Sequence, residues 1–193
     1  MQVQKEVDMP RVLPAINIGK GPRIMLASGS WFDFLDPENS DFTIEDIAQA
    51  LGNICRYAGQ CRKFYSVAEH SLHVSAMSPT NKLEALLHDA AEAFLGDVTR
   101  PLKQLLPEYK KIEKAVEIAI FHRFDLDFSA LAALKKVDLS VLAAEQVQIM
   151  PPGTDYWSSE SGIIPADITI EFLQPQAATT AFLCRFRELT ATR

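Results

Sequence analysis

Histidine and aspartate residues occur in this sequence in an order that could bring several metal-binding groups together. His70 is followed by the adjacent pair His88 and Asp89, and Asp138 comes later in the chain. Neighbouring residues on a helix diverge by about 100°, so His88 and Asp89 could approach one ion from two sides. These four residues are therefore candidate ligands of a metal ion.

Two of the candidates lie where an unpaired polar group would be costly. Asp138 is four residues after Leu134 and four before Leu142, on or beside the apolar side of a predicted helix. His70 has a similar position, three residues after Val67. A buried charge must be paired, neutralised or bound to a metal, so these positions indicate a site.

Each residue also has a plainer interpretation. A single core histidine such as His70 is more often hydrogen-bonded than metal-bound. The pair His88–Asp89 could occur by chance, and Asp138 could form a salt bridge with Lys or Arg. The combination of all four, each in a predicted helix, favours a common site over these separate roles.

Composition limits the class of protein. The chain has 193 residues, of which 48% are hydrophobic and 23% charged, and its net charge is −6. This is an ordinary globular composition with a sizeable core. The acidic balance argues against a protein that coats nucleic acid, but a few local Lys and Arg residues could still hold a small anion.

The cysteines and the N-terminus predict a cytoplasmic protein. Cys55, Cys61 and Cys184 are odd in number and form no C-x-x-C pair, which argues against a disulfide framework or a zinc ribbon and favours reduced thiols. Residues 1–10 lack the apolar core of a signal peptide. The apolar stretches are too short to span a membrane.

Hydrophobic periodicity predicts an all-α fold, a helical bundle after a short irregular or hairpin N-terminal lead. The hairpin is expected near residues 23–35, a loop over 150–165 and a C-terminal helix over 176–190. Proline, glycine and capping residues predict that the other helices begin near Thr43, Ser66, Thr80, Pro101, Pro107 and Ser129.

The motifs SVAEHS at 66–71, LHDAAE at 87–92, GD at 96–97 and VD at 137–138 resemble those of the HD-domain phosphohydrolases. Within that superfamily the chain is most similar to bacterial 5′-deoxynucleotidases and to the phage and bacterial dATP triphosphohydrolases of the DatZ type. The resemblance covers about residues 30–148. It implies a single HD domain over residues 1–193.

The resemblance implies one divalent cation held by His70, His88, Asp89 and Asp138. Imidazole and carboxylate ligands suit Co²⁺, Mn²⁺, Zn²⁺ or Fe²⁺ better than Mg²⁺.

The resemblance further implies two catalytic carboxylates, Glu92 and Asp97. Glu92 comes four residues after His88, on the same helix face, where it could act as a general acid or base. Without the motif, Glu92 would be a solvated helix carboxylate and Asp97 a turn residue. Residues that match substrate-binding positions of the family are Arg56, Tyr57, Pro101, Lys103 and Lys135.

The expected activity is hydrolysis of a 2′-deoxynucleotide, with dATP cleaved to deoxyadenosine and triphosphate. Lys135 favours the triphosphate, because three phosphates need more positive groups than one. The alternatives are a 5′-deoxynucleotidase acting on dNMPs, a non-catalytic HD sensor that binds a nucleotide, and a helical interaction protein with structural histidines. The family also implies a homo-oligomer, a dimer or hexamer, with no nucleic-acid or membrane partner. The base preference is not predicted.

Overall fold

The computed structural model describes residues 21–153 and 156–191 of the chain. Residues 1–20, the first half of the expected irregular lead, lie outside the described residues. The described elements are two strands and nine α-helices: β1 Arg23–Met25, β2 Trp31–Asp33, α1 Ile44–Asn53, α2 Val67–Met77, α3 Lys82–Leu87, α4 Glu92–Leu95, α5 Arg100–Lys103, α6 Pro107–Arg123, α7 Ala130–Ile149, α8 Tyr156–Glu160 and α9 Pro175–Ala191. The mostly helical fold and the N-terminal hairpin confirm the predicted fold class and the hairpin expected near residues 23–35.

The hairpin packs on the helices through one aromatic side chain. Strands β1 and β2 are antiparallel, with Ile24 opposite Phe32. Phe32 is fully buried, and its ring stacks on Phe94 of α4 with the ring centroids 4.0 Å apart. The hairpin therefore covers the core beside the turn that carries the His88–Asp89 motif.

Side-chain caps fix where the first two long helices begin. The Thr43 hydroxyl accepts a hydrogen bond from the Asp46 backbone N–H, and the Asp46 carboxylate accepts one from the Thr43 backbone N–H. The Ser66 hydroxyl caps α2 by accepting from the Glu69 backbone N–H. These caps satisfy N–H groups that have no partner within the helix, and they confirm the predicted starts of α1 and α2.

The C-terminal segment is an integral part of the packing. Helix α9 packs against α1 and α2, and Phe182 is fully buried in the main core. The buried carboxylate of Glu69 accepts hydrogen bonds from the backbone N–H groups of Glu171, Phe172 and Leu173, at 2.8 to 3.1 Å. The chain beyond residue 150 thus supports α2, the helix that presents His70.

The structure corrects three sequence-based predictions. The helix predicted to begin near Thr80 is divided into α3 and α4 by a turn over residues 88–91. In this turn, successive N–H groups bond to carbonyls three residues earlier, a tighter arrangement than the α-helix. The predicted loop 150–165 contains α8. Ser129 precedes α7 as predicted, but its hydroxyl donates to the Asp127 carboxylate instead of capping the helix.

Within the described ranges, every helix is too short or insufficiently apolar to cross a lipid bilayer.

Candidate metal centre

Three separate elements bring the candidate ligands to one point. His70 lies on α2, His88 directly follows α3, and Asp138 lies on α7. The Nε2 atom of His70 is 3.2 Å from Asp138 Oδ1, and the Nε2 atom of His88 is 3.9 Å from the same oxygen. One ligand atom from each of the three residues lies within 4.8 Å of the other two. This group could hold a metal ion.

Asp89 completes the set that the sequence predicted. Its Oδ2 atom is 3.4 Å from His70 Nε2 and 3.2 Å from His88 Nε2. The turn between α3 and α4 therefore places two adjacent side chains, His88 and Asp89, against the same centre. Because the turn is tighter than an α-helix, this geometry differs from the mid-helix position that the periodicity predicted.

The histidine tautomers test whether a cation fits here. The Nδ1 atom of His88 is 2.8 Å from the carbonyl oxygen of Ala85, and a carbonyl can only accept a hydrogen bond. Nδ1 therefore carries the proton, and in the neutral ring Nε2 presents a lone pair. The Nδ1 atom of His70 is likewise held by the Glu145 carboxylate.

Both Nε2 atoms are buried and have no hydrogen-bond partner among the described residues. Each faces carboxylate oxygens of Asp89 and Asp138, and a lone pair facing a carboxylate is repulsive unless a proton or a cation lies between them. The two imidazoles and two carboxylates therefore fit a divalent cation, and these donor types suit a transition metal.

The carboxylates of the centre attract positive charge, whether a proton or a metal ion. Burial alone would lower the pKa of His88, but the Asp89 and Asp138 carboxylates outweigh it and hold the pKa above its ordinary value. Burial would raise the pKa of Asp89, yet His88 and His70 hold it well below its usual range. The carboxylates are ionised and attract positive charge to the Nε2 atoms.

Glu145, a buried carboxylate that the sequence motifs did not indicate, organises the site. Glu145 has no exposed surface. Besides holding His70, it accepts hydrogen bonds from the Tyr65 hydroxyl at 2.7 Å and the Tyr57 hydroxyl at 2.8 Å. It lies seven residues after Asp138, two turns along the same face of α7. That spacing, in the apolar context VLAAE at 141–145, is the signal that could have identified it.

Arg56 joins the metal centre to this buried carboxylate. Its Nη1 atom is 3.5 Å from Asp89 Oδ2, and its Nη2 atom is 3.5 Å from Glu145 Oε2. The Arg56 Nε atom is buried and has no hydrogen-bond partner within the described part of the chain. Since both ion pairs are long, the guanidinium retains donor capacity for an anion in the cleft.

Tyr57 is held in an unusual backbone conformation beside the centre. Its φ is 58° and that of Ala58 is 51°, in the left-handed region where residues other than glycine are uncommon. The Asp97 carboxylate accepts a 3.0 Å hydrogen bond from the Tyr57 N–H. Burial and the nearby Glu145 raise the pKa of Tyr57, so its phenol stays neutral and donates. Asp97 therefore supports the turn that positions Arg56 and Tyr57.

Glu92 is a buried acid at the edge of the centre. Burial raises the pKa of Glu92 well above its ordinary value, and the Asp89 and Asp97 carboxylates act in the same direction. Its Oε2 atom has no hydrogen-bond partner among the described residues. The Lys103 Nζ atom lies 3.5 Å from Glu92 Oε1 and 2.6 Å from Glu113 Oε1. Glu92 is therefore protonated more readily than an exposed carboxylate.

A cleft of about 450 Å³ opens over the centre. It is also lined by Arg100, a cation that the sequence analysis did not select. The sequence-predicted site residues that line this cleft are Arg56, Tyr57, Asp89, Glu92, Asp97, Pro101, Lys103 and Asp138.

Of the predicted substrate-binding residues, Lys135 does not line this cleft. Lys135 is exposed and lines a neighbouring groove of about 670 Å³ together with Lys136. It is three residues before Asp138 on α7, about 60° away around the helix axis, and its side chain lines the groove instead of the cleft. Leu139 lines both the cleft and the groove.

Comparison with known proteins identifies relatives by sequence. The chain is 36% identical over 168 residues to the uncharacterized protein YfdR of Escherichia coli (strain K12), and the alignment covers 86% of this chain and 94% of YfdR. It is 37% identical over 133 residues to the uncharacterized protein RCAP_rcc00048 of Rhodobacter capsulatus, which covers 63% of this chain and 66% of that protein. No protein-family model matches the chain.

Proposed function

This chain belongs to the family of YfdR, and we propose that it is a metal-dependent phosphohydrolase of the HD superfamily that removes the 5′-phosphate of a deoxynucleoside monophosphate. One observation carries the proposal. The buried Nε2 atoms of His70 and His88 have no hydrogen-bond partner among the described residues and face two carboxylates at a cleft that also contains cationic side chains.

The proposed cofactor is one divalent transition metal held by His70, His88, Asp89 and Asp138. When bound, such an ion supplies Lewis-acid chemistry, because it polarises a phosphoryl oxygen and lowers the pKa of water. The buried carboxylate of Glu145 fixes the ring orientation of His70, and the Ala85 carbonyl does the same for His88.

The remaining cleft residues suit a phosphate ester. The Arg56 guanidinium and the Lys103 ammonium line the cleft and would donate hydrogen bonds to phosphate oxygens. The Glu92 carboxyl, with its raised pKa, is suited to donate a proton to the departing 5′-oxygen. Tyr57 and Pro101 line the cleft, where they would contact the sugar or the base.

The position of Lys135 favours a monophosphate. Lys135 was the residue that led us to expect a triphosphate substrate, and it lies outside the cleft that contains the candidate ligands. The ammonium of Lys103 is already paired with Glu113, so it has limited capacity for further phosphate groups. A phosphate dianion matches this set of cations better than a triphosphate does.

Hydrolysis of dATP to deoxyadenosine and triphosphate is the second candidate. This second activity is favoured by Leu139, which lines both the cleft and the neighbouring groove. A longer phosphate chain that leaves the centre past Leu139 would approach Lys135 and Lys136.

Product identification tests the two activities. The purified protein, loaded with Mn²⁺ or Co²⁺, is incubated with a panel of dNMPs, dNTPs and NMPs, and the products are separated by ion-exchange chromatography. We expect inorganic phosphate and deoxynucleoside from a dNMP. Triphosphate released from dATP, with dNMPs left intact, would replace the first candidate by the second.

A variant of Glu92 separates catalysis from binding alone. Glu92→Gln should abolish hydrolysis while metal binding persists, and Glu108→Gln, at an exposed position of α6, is the matched control. If the wild-type protein binds metal and nucleotide but hydrolyses none of the panel, a nucleotide-binding sensor is the better description.

A further inference from the structure

Two cysteines lie close together at the turn that carries Arg56 and Tyr57. The Sγ atoms of Cys55 and Cys61 are 3.4 Å apart, and both side chains are half-buried. A disulfide has an S–S distance of about 2.05 Å, so closing the bond needs a movement of roughly 1.4 Å. Rotation of the two side chains and a small adjustment of the turn can supply it.

The backbone of the turn explains why the two thiols meet. Tyr57, Ala58 and Gly59 have φ values of 58°, 51° and 76°, and three consecutive left-handed residues reverse the chain within a short distance. Alanine is uncommon in this region, whereas Gly59 adopts it without a steric cost. The turn therefore holds Cys55 and Cys61 together even without a covalent bond.

Both ends of the turn are anchored to the site. On the Cys55 side, the Arg56 N–H donates to the Tyr65 carbonyl at 2.9 Å. On the Cys61 side, the Arg62 N–H donates to the carbonyl of Ile149, the last residue of α7, at 3.2 Å. A bond between the two sulfurs must therefore be accommodated within the turn, by a shift of the residues between them.

We propose that Cys55 and Cys61 form a reversible disulfide that lowers the activity of the adjacent cleft under oxidising conditions. The regulatory half of this proposal rests on the proposed phosphohydrolase function, whereas the formation of the disulfide does not. Reversible disulfides in cytosolic proteins are commonly redox-sensing, so the proposal is compatible with thiols that are reduced in the resting state.

The oxidant is a low-molecular-weight disulfide. The thiolate of one cysteine attacks the oxidant's S–S bond, which gives a mixed disulfide and releases one small thiol after proton uptake. The thiolate of the second cysteine then attacks the protein sulfur of the mixed disulfide and releases the second small thiol. Two S–H bonds are lost, one S–S bond forms in the protein, and the oxidant is reduced by two electrons.

The chemical environment favours a reduced resting state. Burial, together with contact with Cys55, raises the pKa of the Cys61 thiol. A protonated thiol is a poor nucleophile, so the pair reacts slowly with an oxidant.

The inhibitory effect follows from what the turn positions. The Arg56 guanidinium lies 3.5 Å from both Asp89 and Glu145, and the Tyr57 N–H is held by Asp97. A displacement of about 1 Å in a positioning group can reduce a rate by as much as 10²-fold. We expect oxidation to lower kcat/KM for the nucleotide by about tenfold.

Mass spectrometry of the full chain tests the disulfide independently of activity. The reduced Cys184→Ser variant, which lacks the exposed third cysteine, is incubated with glutathione disulfide. We expect the intact mass to fall by two hydrogen atoms and peptide mapping to link Cys55 to Cys61. Two separate glutathione adducts, or a fully reduced protein after prolonged incubation, would overturn the proposal.

Activity is then measured on the same samples. The oxidised protein should recover its full kcat/KM after treatment with dithiothreitol, and a Cys55→Ser/Cys61→Ser variant in the same background should be insensitive to oxidant. A complete internal disulfide with unchanged kcat/KM would contradict the regulatory half. If even the reduced protein hydrolyses no nucleotide, the proposed function is wrong. Mass spectrometry still determines whether the disulfide forms.

Discussion

The Nδ1 atom of His70 is hydrogen-bonded to the carboxylate of Glu145, and both side chains are completely buried. The same carboxylate accepts hydrogen bonds from Tyr57 and Tyr65. A single acidic group therefore fixes the ring of a candidate metal ligand and the position of an aromatic residue that lines the cleft. In the proposed function, this relationship would connect metal affinity to the shape of the cleft.

Replacement of Glu145 should weaken metal binding. In Glu145→Gln the amide is a weaker acceptor for His70, and loss of such a partner typically reduces metal affinity by about 10–100-fold. Isothermal titration with Mn²⁺ or Co²⁺ measures the change, and Glu108→Gln serves as the exposed control. An unchanged dissociation constant would show that the orientation of His70 does not depend on Glu145.

The metal should stabilise the fold, and Asp138 should be required for it. At a metal concentration of about 100 times Kd the stabilisation is about 2.7 kcal/mol, which raises Tm by roughly 5–10 °C in a chain of this size. Asp138→Asn should lose this increase, whereas the exposed Asp41→Asn should retain it. Thermal unfolding with and without Co²⁺ gives both values, and an equal Tm increase in Asp138→Asn would rule out the proposed ligand set.

Local spacing predicted much of the molecule, while long-range packing determined the rest. The cap formed by Thr43 and Asp46 depends on residues three positions apart, so the sequence alone revealed it. The ligand pattern was also visible, because each motif is a short run of adjacent residues. The role of Glu145 depends on which face of α7 meets α2. The position of Lys135 outside the cleft depends on the same rotation of α7 about its axis. The spacing of a few apolar residues does not determine how far a helix is rotated about its own axis.

Two lysines should differ in their effect on hydrolysis of a dNMP. Lys103 lines the cleft and Lys135 lines the neighbouring groove. A charge-assisted hydrogen bond contributes about 1.5–3 kcal/mol, so Lys103→Met should lower kcat/KM by roughly 10–100-fold. Lys135→Met should stay within about twofold, as expected for an exposed position. Steady-state kinetics with dNMP and dATP provide the comparison, and a selective loss of dATP hydrolysis in Lys135→Met would favour the triphosphate.

The capping box predicts a pH-dependent contribution to stability. Burial would raise the pKa of Asp46, but hydrogen bonds from Ser28 and Thr43 outweigh it and hold the pKa below its ordinary value. The ionised carboxylate therefore stabilises the fold at any pH above the ordinary pKa of an aspartate. This contribution disappears as the pH falls through the lowered pKa of Asp46.

Asp46→Asn should accordingly lower the free energy of unfolding by about 1–2 kcal/mol at neutral pH. In strong acid the difference from the wild type should approach zero. Glu45→Gln, an exposed change in the same helical turn, is the control. Urea unfolding of the wild type and both variants over a range of acidic pH gives the two curves. A cost that stays constant down to the lowest pH would mean that the charge of Asp46 is not involved.

Gly52 should be essential for the close contact of α1 with α9. A Cβ atom at this position would lie 2.2 Å from Thr179 Oγ1 and 2.9 Å from the Pro175 carbonyl oxygen. Gly52→Ala should therefore destabilise the protein by about 1–3 kcal/mol, as overpacked cores do, although alanine favours an isolated helix over glycine. Gln49→Ala on the exposed side of α1 should change the stability by less than about 0.5 kcal/mol. In a Thr179→Ala background the cost of Gly52→Ala should decrease, because the nearest obstacle is removed, but it should persist, because the Pro175 carbonyl remains. Denaturant unfolding of the four combinations measures the coupling between the two positions, and an unfolding free energy that rises in Gly52→Ala would show that the two helices separate without cost.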